Sequence, residues 1–202
     1  MSINKTGRAT VVERLATGSI TEQQALELTR EAALRTLDRV DKSRSDLAAS
    51  LLRRGYPANA VELVLDRLTE VGVINDAAYA AAVVRSRQGA GGFARSAIML
   101  ELARRGIGSE IAEDALGQVT SEAENDALQL LIAKSLRRTV GLDKQTRLRR
   151  ATSALLRKGY ESSQVYPAVL AALTDQLGEQ GTLDTDVNDI NIKRGFDFSA
   201  TS

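Results

Sequence analysis

Two missing residue types narrow the chemistry open to this chain: among its 202 residues there is no His and no Cys. Serine–histidine–aspartate catalysis, thiolate nucleophiles, disulfides and zinc sites built on His or Cys are therefore excluded. What remains is charge, 27 Lys and Arg against 26 Asp and Glu, for a net of +1. Carboxylate pairs such as Glu113 and Asp114 lie on a helix surface with no convergent partner, so an enzyme is the least favoured class. Asp184, Asp186 and Asn188 have calcium-loop spacing, but the sixth position is Asp189 instead of Gly and the twelfth is Gly195 instead of Glu. The glycine-rich GAGG at 89–92 follows no strand and precedes no Gly-Lys-Ser/Thr. It reads as a hinge between helices and not as a phosphate loop. No cofactor and no metal are expected.

The distribution of charge is more informative than its sum. Between Lys134 and Lys158 stand nine basic residues (Lys134, Arg137, Arg138, Lys144, Arg147, Arg149, Arg150, Arg157, Lys158) against one acid, Asp143. From Glu161 onward the balance reverses, with seven acids and two bases. A cationic surface of this density suits an acidic protein partner or a phosphate backbone. A solvated helix face accounts for the same charges more plainly. A second group, Arg85, Arg87, Arg95, Arg104 and Arg105, lies earlier in the chain. Four Tyr, three Phe and no Trp are too few rings for a single-strand binder built on base stacking.

The elements that carry these charges repeat. LLRRGYPANAVELVLDRL at 51–68, LARRGIGSEIAEDALGQV at 102–119 and LLRKGYESSQVYPAVLAA at 155–172 align without gaps. Each gives Leu, a small or leucine residue, two basic residues, Gly, then Tyr or Ile. Gly55, Gly106 and Gly159 are expected at the left-handed position that ends a helix. Tyr56, Ile107 and Tyr160 would then close on Leu51, Leu102 and Leu155, the apolar contact of a Schellman turn. The basic pairs Arg53–Arg54, Arg104–Arg105 and Arg157–Lys158 fall in the last turn, where a helix dipole favours cations.

An all-α chain follows, made of three tandem three-helix units in an elongated, slightly curved body, because each trio alone has a small core. The units are expected over 21–74, 75–120 and 121–177. Segments 1–20 and 178–202 read as poorly ordered ends. The expected helices are 21–39, 45–54, 58–71, 76–87, 93–105, 109–118, 121–138, 143–158 and 162–173, the last starting later if Pro167 is to lie in its first turn. Asn75, Ser109, Ser121 and Ser162 are the candidate caps. Residues 1–20 hold no apolar run of a secretory kind, and the longest apolar stretch, Ala77 to Val84, is too short to cross a bilayer. A helix–turn–helix spacing invites sequence-specific DNA reading. The helices after the turns carry Glu62, Asp66 and Glu70, or Glu110, Glu113 and Asp114, which phosphates repel.

RSDLAASLLRRGYPANAVELVLDRLTEVGVINDAAYAAAVVRSR at 44–87, IMLELARRGIGSEIAEDAL at 98–116 and LLRKGYESSQVYPAVLAAL at 155–173 together resemble the RecX family of bacterial recombination regulators. The resemblance covers about residues 30–175. It implies three tandem three-helix units and a cytoplasmic, monomeric, non-enzymatic protein. It further implies a protein that lodges along the RecA filament on single-stranded DNA and opposes its growth, ATP hydrolysis and strand exchange, with at most weak direct DNA binding. It supplies no contact residues. The site residues inferred from charge are Arg137, Arg138, Lys144, Arg147, Arg149, Arg150, Arg157 and Lys158, with Arg85, Arg87, Arg95, Arg104 and Arg105. The alternatives are a DNA-reading helix–turn–helix protein and a generic α-helical adaptor.

Overall fold

Apolar residues three and four apart wind into helices throughout the computed structural model, which describes residues 9–89, 91–117 and 119–178. The helices are α1 (Val11–Ala16), α2 (Glu22–Leu37), α3 (Arg44–Arg53), α4 (Ala58–Glu70), α5 (Asp76–Gly89), α6 (Arg95–Arg104), α7 (Ser109–Leu116), α8 (Ser121–Arg137), α9 (Lys144–Leu156) and α10 (Ser162–Gly178). Among the described residues there is no strand. Nor, among the described residues, is any helix long and apolar enough to cross a membrane.

Several local expectations need correction. Of the segment 1–20, read as poorly ordered, residues 9–20 are described and contain a helix: Thr10 starts α1 with a full capping box, its hydroxyl accepting the Glu13 amide while Glu13 accepts the Thr10 amide. Asn75 does cap α5, accepting the Ala78 N–H at 2.8 Å. For α8 the cap is Thr120, one residue before Ser121, and Ser109 and Ser162 are first helical residues. Pro167 lies inside α10 without delaying its start. The site is exposed, so the carbonyl that its missing N–H leaves unbonded can meet water. In the GAGG segment, of which Gly89, Gly91 and Gly92 are described, a Cβ on Gly91 would strike the Arg87 carbonyl and the Phe93 ring at 2.6 Å. The calcium-like spacing at 184–188 and the expectation for 178–202 lie, apart from Gly178, outside the described residues.

Three separate cores form. The first joins α2, α3 and α4 through Ala33, Leu47, Leu51, Val61 and Leu65; the second joins α5, α6 and α7 through Ala80, Ile98, Leu102 and Leu116. The third joins α8, α9 and α10 through Leu128, Ile132, Leu136, Leu155, Val165 and Val169. Alanines at the contact face of α2 and α5 let neighbouring helices approach closely, and each buried Leu or Val contributes about 1.5–3 kcal/mol.

The repeated turns close as expected. Gly55, Gly106 and Gly159 have φ of +81°, +72° and +88°. In each, the residue after Gly donates to the repeat's Leu carbonyl (Tyr56 to Leu51, 3.3 Å; Ile107 to Leu102, 3.1 Å; Tyr160 to Leu155, 3.4 Å). The same turns also do something the repeat did not announce: each docks on the N-terminal end of an earlier helix. The Val12 amide donates to Gly55 O at 3.0 Å, the Ser43 hydroxyl to Arg105 O at 2.6 Å, and the Ala94 amide to Lys158 O at 2.9 Å. A Cβ on these glycines would meet Thr10 Cβ at 2.6 Å, the Ser45 side chain, and Ala97 Cβ at 2.5 Å. Acids from the next unit complete the joint. Asp76 accepts the Arg44 amide at 2.8 Å, and Glu124 the Arg95 amide at 2.9 Å. Thus α1, α3, α6 and α9 stand end to end, each C-terminal turn seated on the preceding N-terminus.

This geometry separates two costs. A Cβ added at Gly72, where φ is +75°, would meet nothing within 4 Å, so Gly72→Ala should cost only the left-handed penalty, about 1–2 kcal/mol. Gly159→Ala should cost that plus roughly 1–3 kcal/mol of overpacking against Ala97. Urea unfolding of both variants checks this; equal losses would mean that the docking contact contributes nothing.

Candidate functional site: the basic helix ends

The sequence placed cations in pairs before each glycine, and the structure splits every pair. The second member lies against a ring: Arg54 over Tyr56 at 5.3 Å, Arg105 over Tyr79 at 5.8 Å, and Lys158 over Phe93 at 4.4 Å. Lys158 also donates to the Gly91 carbonyl. Its pKa is lowered, first by burial and then by Lys134. The first member of each pair, Arg53, Arg104 and Arg157, is exposed. Because the helix ends repeat along one row, these three arginines recur once per unit at equivalent positions. Arg53 was not among the charge-inferred site residues. The gapless alignment of the three basic pairs is the signal that could have found it.

Other expected site residues divide in the same way. Arg147 is a correction: it is 6% exposed and therefore unavailable to a partner. Its guanidinium donates to Leu136 O at 3.3 Å and to Gln176 Oε1 at 2.8 Å, tying α9 to α8 and α10. The three-and-four spacing of Arg147, Ala151 and Leu155 puts it on the buried stripe, where its fork adds a donor to the Leu136 carbonyl, which also accepts the Thr139 amide and hydroxyl at the end of α8. Arg95 donates to Leu116 O at 2.6 Å and is half-buried. Arg87 and Arg105 converge on Glu101, Arg87 through two bonds at 2.6 and 2.7 Å and Arg105 at 2.8 Å. Arg105 also reaches Asp46 of α3 at 3.9 Å and the Tyr79 hydroxyl at 2.5 Å. These two arginines hold the second unit together and join it to the first.

The exposed remainder is Arg85, Arg104, Arg137, Arg138, Arg149, Arg150 and Arg157, with Lys144 half-buried. Arg150 of α9 and Arg157 at its C-cap are seven residues apart and share a face that flanks the buried Arg147, while Arg149 points to the far side. Leu52 and Leu156, next to Arg53 and Arg157, are 45% and 38% exposed, so apolar and cationic groups adjoin at two of the helix ends. The helices after the turns keep their acids outward: Glu62, Asp66 and Glu70 on α4 and Glu110, Glu113 and Asp114 on α7 are exposed. The helix ends therefore present mainly cations, and the helices that follow them mainly acids, with Arg67 of α4 the exposed exception. Among the described residues no group of three or more His, Cys, Asp or Glu could hold a metal.

Glu101 gives this network a pH signature. Hydrogen bonds from Arg87 foremost, and then from Arg105, hold its carboxyl down at about 2 against burial, which acts the other way. A folded pKa below the unfolded 4.5 adds stability above that value, and the contribution is lost as pH falls toward 2. Glu101→Gln should be less stable at neutral pH and should show a flatter stability profile between about 4.5 and about 2. Denaturant titrations across that range test the expectation.

Comparison with known proteins places this arrangement. Residues 30–68 match the RecX first three-helix domain and residues 75–116 the RecX second three-helix domain. "Regulatory protein RecX" of Streptomyces coelicolor is 39% identical over 162 residues, spanning 77% of this chain and 86% of that one. The protein of the same name from Mycobacterium marinum is 35% identical over 156 residues, spanning 77% and 90%. The crystal structure of RecX from Lactobacillus salivarius superposes with a TM-score of 0.61 at 22% identity, over 78% of this chain and 99% of that one, a likeness of fold. A second crystal structure, of regulatory protein RecX, gives 0.61 at 27% identity, over 75% and 72%.

Proposed function

Because this chain belongs to the RecX family of regulatory proteins, we propose that it regulates the RecA recombinase by binding its filament on single-stranded DNA. In this reading it opposes filament growth, ATP hydrolysis and strand exchange, and so tempers homologous recombination and the DNA-damage response in the cytoplasm. It does so as a three-unit binding protein that runs no reaction of its own. The observation that carries the reading is the recurrence of an exposed arginine at the same position of each unit's turn, Arg53, Arg104 and Arg157, on a row of end-to-end helices. A partner that repeats along its own axis, with acidic side chains or phosphates at regular intervals, is the kind such a row can meet at several points at once. Arg149 and Arg150 extend the cationic surface on the last unit. The exposed acids of α4 and α7 disfavour the helix–turn–helix alternative, in which those helices would enter a DNA groove.

Titrated into RecA on single-stranded DNA, the protein should slow ATP turnover and strand exchange. Unchanged turnover at saturating protein, with RecA from the same source, would remove this reading. The triple variant R53E/R104E/R157E should bind the filament more weakly by several kcal/mol, on the order of 100-fold or more. Its circular dichroism melt should stay close to that of the parent, since exposed charges contribute about 0–1 kcal/mol each. The parent's affinity should fall as salt rises. Wild-type affinity in the folded variant would separate the arginine row from the function.

A further inference from the structure

A single chain of charged and aromatic contacts runs through the second unit from one joint to the other. At the joint with the third unit, Lys158 donates to the Gly91 carbonyl and lies 4.4 Å from the centre of the Phe93 ring. The Arg87 guanidinium lies 5.6 Å from the same ring, so cations of two different units share one aromatic. Arg87 is held in turn by both oxygens of Glu101. At the joint with the first unit, Arg105 reaches the Tyr79 hydroxyl and Asp46 of α3, and its own carbonyl accepts the Ser43 hydroxyl. Tyr79 lies one turn after Asp76, which accepts the Arg44 amide across that joint.

Glu101 is where the two halves of the chain meet. Its Oε1 accepts from Arg87 at 2.7 Å and from Arg105 at 2.8 Å. One oxygen thus serves both arginines, and the carboxylate cannot turn toward either without stretching its bond to the other. Its side chain is 24% exposed, against 39% for Arg87 and 35% for Arg105, so water competes least at this point. Side chains that share partners in one such network respond to one another's substitution. We propose that Glu101 is a positioning residue that couples the two joints, so that loosening the third unit on the second also loosens the second on the first. Arg53, Arg104 and Arg157 then shift as a set and not singly. The use made of that common register rests on the RecA reading, while the coupling is a property of the isolated chain.

Hydrogen exchange on the full-length protein alone tests it. The Arg44 amide, bonded to Asp76, reports the first joint, and the Arg95 amide, bonded to Glu124, reports the second. Lys158→Met keeps the apolar stem and removes the charge. It should speed exchange at Arg95 directly, and at Arg44 through the chain by about fivefold or more, both relative to the buried Leu65 amide in the first core. In the Glu101→Gln background the same substitution should still speed Arg95 and should leave Arg44 unchanged. An equal response at Arg44 in both backgrounds, or none in either, would overturn the proposal and leave Glu101 a local ion pair of the second unit. Phe93→Leu, which removes the shared ring and keeps an apolar side chain, puts the same question from the middle of the chain and should give the same pattern. RecA is absent from the measurement, so its failure would leave the RecA reading standing.

Discussion

The molecule depends on a contact that only a glycine turn can make. At each junction the carbonyls that end one helix meet the amides or hydroxyls that begin another, at a place where a Cβ would collide with the neighbour. The contact aligns helix dipoles head to tail, so that the partial negative end of α6 faces the partial positive end of α3, and likewise for α9 and α6. Each junction rests on a few hydrogen bonds, worth about 0.5–1.5 kcal/mol apiece, and two of the three add an acid reaching across. The three apolar cores supply most of the burial but do not merge. Where one unit lies relative to the next is therefore set by main-chain chemistry at the helix ends.

Much of this was legible because it is local. The Schellman signature needs only Leu, Gly and an apolar residue at fixed offsets, and all three copies formed as read. Helix bounds followed from the three-and-four spacing. What the sequence hid was relational. Nothing in the letters around Thr10 says that α1 will receive the turn at Gly55, and its six residues carry no buried side chain that a hydrophobic pattern could flag. Capping was misplaced by a residue at α8 because Thr120 and Ser121 are both good caps, and only the geometry of the incoming chain decides between them.

The candidate site shows the same division. Charge density located the basic surface but could not sort it, since a guanidinium on a ring, one buried against a carbonyl and one in water all read as Arg. Arg147 falls on the buried stripe of α9, and the apolar spacing that includes it was the available hint. Arg87 and Arg105 are committed to Glu101 through contacts between α5 and α6, which no single-helix pattern encodes. An aromatic ring engages the second cation of each turn, and the first arginine of each faces solvent.

Because the junctions are slender and the cores are separate, the row has the mechanics of stiff segments in series joined by compliant couplings. Tension along the row would open a junction before it disturbed a core, and the opened joint could reseat without any unit having unfolded. Small bends shared among the couplings would let the arginine spacing adapt to a track whose own repeat stretches or tightens, with little elastic energy stored in any one unit.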